Sequence, residues 1–526
     1  MTIVSLLYLL VGVSPIWFGV RLIQHRRLYK DLPKPPHSFL WGHLKLFSDV
    51  MKLFPSNTAL SVFYTTIARK YELRDIFYLD LWPFGPPQMV LIAPNAADQV
   101  TVVKTYPLHD EVPRFVGSLL GDKSLPAADG EMWKKLHRMI APGFRPSSLR
   151  QMMPVTAEQT VKIFLPALTA YASTGEAFSM EKVAAQLIFS IISKMVIGGS
   201  LSKQNQSQML YDIDRILDYA QSIAVASGTN PVKRWTKWWR KRQAVQRIDH
   251  FLCSFIEKRR LAHSGGYFDS SQGTSILDHM ISEMNSQNPG KLDMSSVQVL
   301  IDNIKALLVG GYGTTTDTLC FIFIMLSFHP NVMARIRREH SQVFSADLVK
   351  TQEILQTTPN KTTELLYTTA VIKETLRLFP AGFSARKTKP GIDTLQYKGK
   401  SYPASNQMII PCTHAIHFDP EVFPQPSSFD PERFLEPNKV PRDAWRPFER
   451  GARACLGQEL AMEELRIVLL LTVRNFDLEC ATVEARKMPR APFTDLDLLM
   501  GDLAFQEMAL SAKPRGGAMM KVTFAI

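Results

Sequence analysis

Cysteine is scarce in this chain. Its five cysteines in 526 residues, Cys253, Cys320, Cys412, Cys455 and Cys480, are an odd number at irregular spacing, with no Cys-x-x-Cys. This excludes a disulfide framework and a structural zinc site, and it fits a reducing compartment. Acidic residues are short, 48 against 61 basic ones, which leaves a net charge of +13. Low hydrophobicity is what a disordered chain would need, and it is missing: 46% of residues are hydrophobic and 21% charged. Internal repeats and long low-complexity tracts are absent too.

The surplus charge is not spread over the chain. From Arg21 to Lys34 the net charge is +4, and from Lys233 to Arg242 it is +6 with no acid at all. Outside these two segments the chain carries only about +3, so a dispersed nucleic-acid-binding surface is excluded. The first segment follows Met1–Val20, which has no charged residue. Ile3–Val20 is about long enough to cross a hydrocarbon layer as a helix. A secretory signal would carry its positive charge before the apolar run. Here the charge comes after it, which favours a single-pass anchor with the bulk of the chain in the cytosol. Pro33, Pro35 and Pro36 then predict a stiff connector. The second segment interleaves its basic residues with Trp235, Trp238 and Trp239. Two readings stay open: a surface that dips into anionic headgroups, or a helix whose tryptophans pack inward.

The body reads as mainly helical with a minor β part. Ile76–Leu81 and Gln88–Leu91 predict two strands around a Pro-Phe-Gly-Pro-Pro turn, and further short strands are expected within 395–411. Helical patterns dominate from about 130 to 380, broken at Ser227–Pro231, Ser264–Thr274 and Asn285–Ser295. Val297–Phe328 predicts a long buried helix rather than a membrane span, since Asp302, Lys305 and Asp317 punctuate it. Another helix is expected from Leu456 to Arg474. The expected organisation is an anchor (1–20), a basic Pro-rich hinge (21–36) and one large domain (37–526).

One cysteine stands in an unusual setting. Phe448-Glu-Arg-Gly-Ala-Arg453-Ala-Cys455-Leu-Gly457 runs directly into an amphipathic helix. Unpaired amides at a helix start favour a thiolate, and the glycines Gly451 and Gly457 let backbone approach the sulfur. Arg453 adds positive charge nearby. A lone thiolate cannot hold zinc, but it can be the single axial ligand of a haem iron. The string resembles the haem-binding loop of the cytochrome P450 superfamily, Phe-x-x-Gly-x-Arg-x-Cys-x-Gly, at every fixed position. Glu374-Thr-Leu-Arg377 is similar to the family's Glu-x-x-Arg pair, and Phe429-Asp-Pro-Glu-Arg433-Phe to its Pro-Glu-Arg-Phe segment. The resemblance extends over nearly the whole chain.

This resemblance implies a microsomal haem-thiolate monooxygenase of the endoplasmic reticulum membrane, with haem b held through Cys455. It implies electrons from NADPH through a cytochrome reductase, cytochrome b5 as a further partner, and no nucleic acid. It also implies a buried Glu374–Arg377–Arg433 network behind the haem. Phe448, Arg453 and Gly457 belong to the cofactor loop, and Trp133 and Arg386 match propionate-contacting positions. Two departures stand out. His137 occupies the Arg position after Trp133, with Arg138 one residue further on. On the central helix, Gly310-Gly-Tyr-Gly313-Thr314 keeps the proton-relaying alcohol as Thr314 but puts Gly313 where the family has an acid. Three readings of that gap stay open. Water can work with Thr314, Asp317 can replace the acid from the same helix face, or the reaction can need little proton delivery. For Gly313 itself, a local widening of the helix is expected. The implied pocket draws on 105–130, on helices flanking 225, on Ala306–Thr314, on Ala381–Ala385 and on Leu503–Gln506. Phe383 and Phe505 are its apolar candidates, and Arg450 and Arg138 belong to a basic reductase-facing surface. The expected reaction is hydroxylation or epoxidation of a lipophilic small molecule in the manner of fungal secondary metabolism. The alternatives are a reductase-independent isomerase or dehydratase, and a non-catalytic haem binder.

Overall fold

The computed structural model describes residues 17–525 except 200, 225–229, 265–274, 288–292, 346, 437 and 438. Most of the expected anchor, and most of the expected breaks between helices, lie outside the described residues. The elements that build the site are seven helices and seven strands: β1 (Ile76–Leu79), β2 (Gln88–Leu91), α1 (Gly130–Ile140), α2 (Met180–Ile197), α3 (Lys203–Ala224), α4 (Pro231–Ser264), α5 (Met294–Phe328), α6 (Leu366–Leu378), β3 (Met408–Pro411), α7 (Gln458–Thr472), β4 (Phe476–Cys480), β5 (Glu507–Met508), β6 (Ala512–Lys513) and β7 (Met519–Phe524). The fold is mainly helical with small sheets, as its hydrophobic periodicity predicts.

The core is organised around α5. Its N-terminus is capped by Asp293, which accepts from the Ser296 amide at 2.9 Å. It stops at Phe328, with Pro330 opening the next helix at a position where its missing N–H costs nothing. Every residue from Leu319 to Leu326 is buried, so this end is apolar all round. α5 is the one described helix long and apolar enough to cross a membrane, and it lies mostly inside the protein. Two of its three charged residues are paired there: Lys305 Nζ meets Asp249 at 2.7 Å and Asp302 at 3.4 Å. α2 packs along α5 closely enough that a Cβ on Gly311 would lie 2.7 Å from Ile192 Cδ1. The α5 ladder runs as α-helix through Gly313, so the expected widening is not there.

β1 and β2 pair antiparallel with Phe77 opposite Val90, and β3 joins β2 in parallel with Ile410 opposite Val90. All twelve residues of these strands are buried, as a sheet covered on both faces requires. β7 pairs with β4 in a second sheet, and β5 with β6 in a short hairpin. Residues 17–27 are helical and lead into the Pro-rich segment, which is packed on the body rather than free of it. Tyr29 is buried, Arg26 donates to the buried Asp80, and His25 and His37 reach the same carboxylate at 3.0 and 2.9 Å. Burial alone would raise the Asp80 carboxyl; these three partners outweigh it and hold it well below the usual range. The three tryptophans at the start of α4 do not point into the core. Trp235, Trp238 and Trp239 are 62%, 37% and 48% exposed, which rules out the inward stripe.

Candidate active site

A cavity of about 440 Å³ lies between α5 and the segment leading into α7. Its walls include Ala306, Leu307, Gly310, Thr314, Leu376, Phe383, Phe448 and Leu456. Cys455 lies in its lining and is exposed to it. The loop that carries Cys455 is shaped by Gly451. Its φ is +85°, and a Cβ there would lie 2.1 Å from the Thr101 carbonyl oxygen, so both the dihedral and the space demand glycine. Cys455 N–H donates to Phe448 O at 2.8 Å and closes the loop. Burial pushes the free thiol up, against a hydrogen bond from the Gly457 amide.

The polar groups cluster at one side. Trp133 and His137, both on α1, line the cavity with ring centroids 4.8 Å apart. Burial holds the His137 pKa below the ordinary histidine value and so favours the neutral imidazole. Arg138 is exposed on another face of α1. Arg453 lines the cavity beside Trp133. Its guanidinium lies over the Trp133 ring at 4.9 Å and donates to Asp129 Oδ1 and Ala128 O, both at 2.7 Å. Burial would raise Asp129, but the amides of Gly130 and Leu108 and the Arg453 charge hold it below its ordinary value. Arg386 is buried, donates to Ser384 Oγ at 3.1 Å and Tyr106 O at 3.3 Å, and makes no ion pair among the described residues. Arg446 also lines the cavity, with Glu449 and Asp98 as partners at 2.5 and 3.4 Å. Sequence reasoning missed Asp129 and Arg446. Asp129, as the residue before the Gly130 helix start, carried the only signal, that of an N-cap.

Behind the cavity, Arg377 grips Glu374 with two parallel bonds of 2.7 and 2.8 Å, and Arg433 reaches Glu374 at 3.3 Å. Arg377 also donates to the carbonyls of His417, Pro426 and Ser428. Of the apolar candidates, Phe383 lines the cavity. Phe505 does not; it is buried against Phe54, 5.1 Å between centroids. On α5, Thr314 lines the cavity and Asp317 does not. Asp317 is buried and accepts from Ser511 Oγ at 2.6 Å. Arg450 is committed to Asp98, with bonds of 3.1 Å from both Nε and Nη2.

The family model for cytochrome P450 matches residues 33–504. The chain belongs to the cytochrome P450 family. It is 33% identical over 493 residues to the cytochrome P450 monooxygenase acrF of Aspergillus aculeatus, covering 87% of this chain and 96% of that one. It is 29% identical over 476 residues to the cytochrome P450 monooxygenase polC of Polytolypa hystricis, covering 87% and 84%. At 24% identity over 414 residues, it is also similar to cytochrome P450 3A14 of Cavia porcellus, covering 76% and 79%. This P450 is a monooxygenase, and its family implies a thiolate-ligated haem. The residues present fit such a group. A thiol opens on a cavity with apolar walls, a Cβ on Gly310 would meet nothing within 4 Å, and the buried Arg386, bonded to the lining residue Ser384, makes no ion pair among the described residues.

Proposed function

We propose that this P450 inserts one oxygen atom of O2 into a lipophilic small molecule, by hydroxylation or epoxidation, using a haem b whose iron the Cys455 thiolate would hold. The observation that carries the reading is the exposure of Cys455 to a largely apolar cavity that Thr314 borders from the other side. When bound, the haem supplies oxygen activation, using two electrons that come from NADPH through a reductase, with cytochrome b5 as a second donor. The protein's share is to hold and to exclude. His137, Trp133, Arg386 and Arg453 would bind the carboxylate edge of the macrocycle, with Arg386 receiving the anion it lacks. Phe448 and Gly457 keep the sulfur in place, Gly457 through its amide. Thr314 donates back to Gly310 O at 2.7 Å and so holds its hydroxyl at the cavity wall, where it can orient a water. The apolar walls expel other water and select an apolar substrate. Similarity to fungal monooxygenases supports a substrate from secondary metabolism.

The test is product analysis after co-expression with a reductase, using a panel of lipophilic scaffolds. Oxygenated product that depends on NADPH and reductase is expected. Product formed without either would instead establish a rearrangement or dehydration, the reading that the missing acid at Gly313 supports.

We further propose that residues 1–20 anchor the protein in the endoplasmic reticulum membrane with the domain in the cytosol, that 21–36 form the neck, and that the start of α4 rests on anionic headgroups. The exposed Trp235, Trp238 and Trp239 among six basic residues support the last point. A chain without residues 1–20 is expected to float with anionic vesicles, and the additional change of all three tryptophans to serine to release it. Complete release by the truncation alone would remove α4 from the membrane.

A further inference from the structure

α5 carries two residues whose arrangement the cavity does not explain. Gly313 faces the β5–β6 hairpin: a Cβ built on it would meet only Ser511 Oγ, at 3.8 Å. That same hydroxyl donates to Asp317 Oδ2 at 2.6 Å, one turn further along the helix. On the other side of Gly313, its neighbour Thr314 borders the cavity. Ser511 therefore stands between a buried carboxyl and Gly313, a position with no side chain.

We propose that Asp317 and Ser511 form a proton relay that reaches the cavity through the room left by Gly313. The inference rests on the monooxygenase reading above. In that reaction, substrate, O2, NADPH and one proton become oxygenated substrate, water and NADP+. One oxygen atom leaves as water and takes up two electrons and two protons. In the relay step, the Asp317 carboxyl passes its proton to Ser511 Oγ as the Ser511 hydroxyl proton moves to a water beside Gly313, and from there to the Thr314 hydroxyl. Asp317 is left as a carboxylate and is reprotonated from solvent.

The surroundings supply both ends of this path. Lys513 on β6 and Glu181 on α2 pair at 3.3 Å beyond Asp317 and are 31% and 26% exposed, which opens the outer end to water. Tyr312 on α5 bonds Asp214 on α3 at 3.2 Å in the same polar group. Burial pushes the Asp317 carboxyl well above its ordinary value and Glu181 adds to this, while Ser511 and Lys513 pull the other way. A carboxyl in that balance holds a proton more readily than an ordinary one. Asp317 thus acts through Ser511 and is a positioning residue, not one that touches the substrate.

The rival account is that the Asp317–Ser511 bond merely pins the hairpin to α5. Three variants separate the two, together with an infrared reading. Asp317→Asn keeps a partner for Ser511 and removes the acid; Ser511→Ala breaks the link. Each is expected to lower product per NADPH by on the order of ten- to a hundredfold, towards the low end of what a positioned proton donor contributes, with the lost oxygen appearing as peroxide. Gly313→Asp, in a helix with open space at that position, is expected to restore coupling in the Asp317→Asn protein. A pinning role could not be rescued from position 313. In the resting protein, the infrared band of a protonated carboxyl is expected in the unaltered chain, shifted in Ser511→Ala and absent in Asp317→Asn. Full coupling in Asp317→Asn, no rescue by Gly313→Asp, or no such band would each overturn the relay. A failure of the unaltered enzyme to need NADPH would instead overturn the functional reading beneath it.

Discussion

Cys455→Ala is expected to abolish oxygenation and the thiolate-type spectrum of the reduced, carbon monoxide-treated protein. The other four cysteines cannot take over. Cys320 and Cys412 are buried, and none of the four lines the cavity. A thiolate ligand increases electron density towards O–O cleavage, and no other group facing the cavity can do so. Cys455→His separates the two ways to fail. An imidazole can hold iron, so this variant is expected to keep haem but lose the thiolate spectrum and the oxygenated product. A thiolate spectrum surviving in Cys455→Ala would remove Cys455 from the centre of the site.

Where the sequence could be read, the relevant contacts are local. The Cys455 loop works through dihedral and clearance demands that fall on its own glycines, so the residue string carries them. Glu374 and Arg377 are three apart on one helix and meet as that spacing predicts. What the residue string does not show involves partners far away in the chain. Asp317 does share a helix face with Thr314 to within a turn, yet which way it turns was decided by Ser511, 194 residues on. Arg453 has its guanidinium set by Asp129, 324 residues away in the chain, and by the Trp133 ring. Phe505 looked like a pocket residue by position along the chain and is spent on Phe54 instead. The tryptophans of α4 were undecidable, because periodicity at i, i+3, i+4 describes a face without saying whether anything covers it.

The buried network predicts the largest loss of stability. Arg377 is fully buried, as is Glu374, and between them they make seven bonds: two to each other, three from Arg377 to carbonyls, and two that Glu374 accepts from the Asp430 amide and Arg433. The same site fixes the approach to the cavity. His417 bonds the Arg377 carbonyl through Nδ1 at 2.8 Å and accepts the Arg446 amide on Nε2 at 3.1 Å, one residue before Pro447 and Phe448. Arg377→Ala leaves Glu374 charged, buried and short of its main partner, a change that costs about 3–5 kcal/mol. Against a total stability of roughly 5–15 kcal/mol, that removes most of the margin. Arg377→Lys is expected to be nearly as harmful. An ammonium cannot make the two parallel bonds and reach three carbonyls at once. Glu374→Gln keeps shape and one acceptor but weakens both arginine contacts. The order of loss is therefore Arg377→Ala, then Arg377→Lys, then Glu374→Gln, read as the fraction of chain recovered with haem and as the urea midpoint of what folds. Haem-loaded Arg377→Ala with an unchanged midpoint would show that the network is dispensable, and that the cavity floor is held by the Gly451 turn alone.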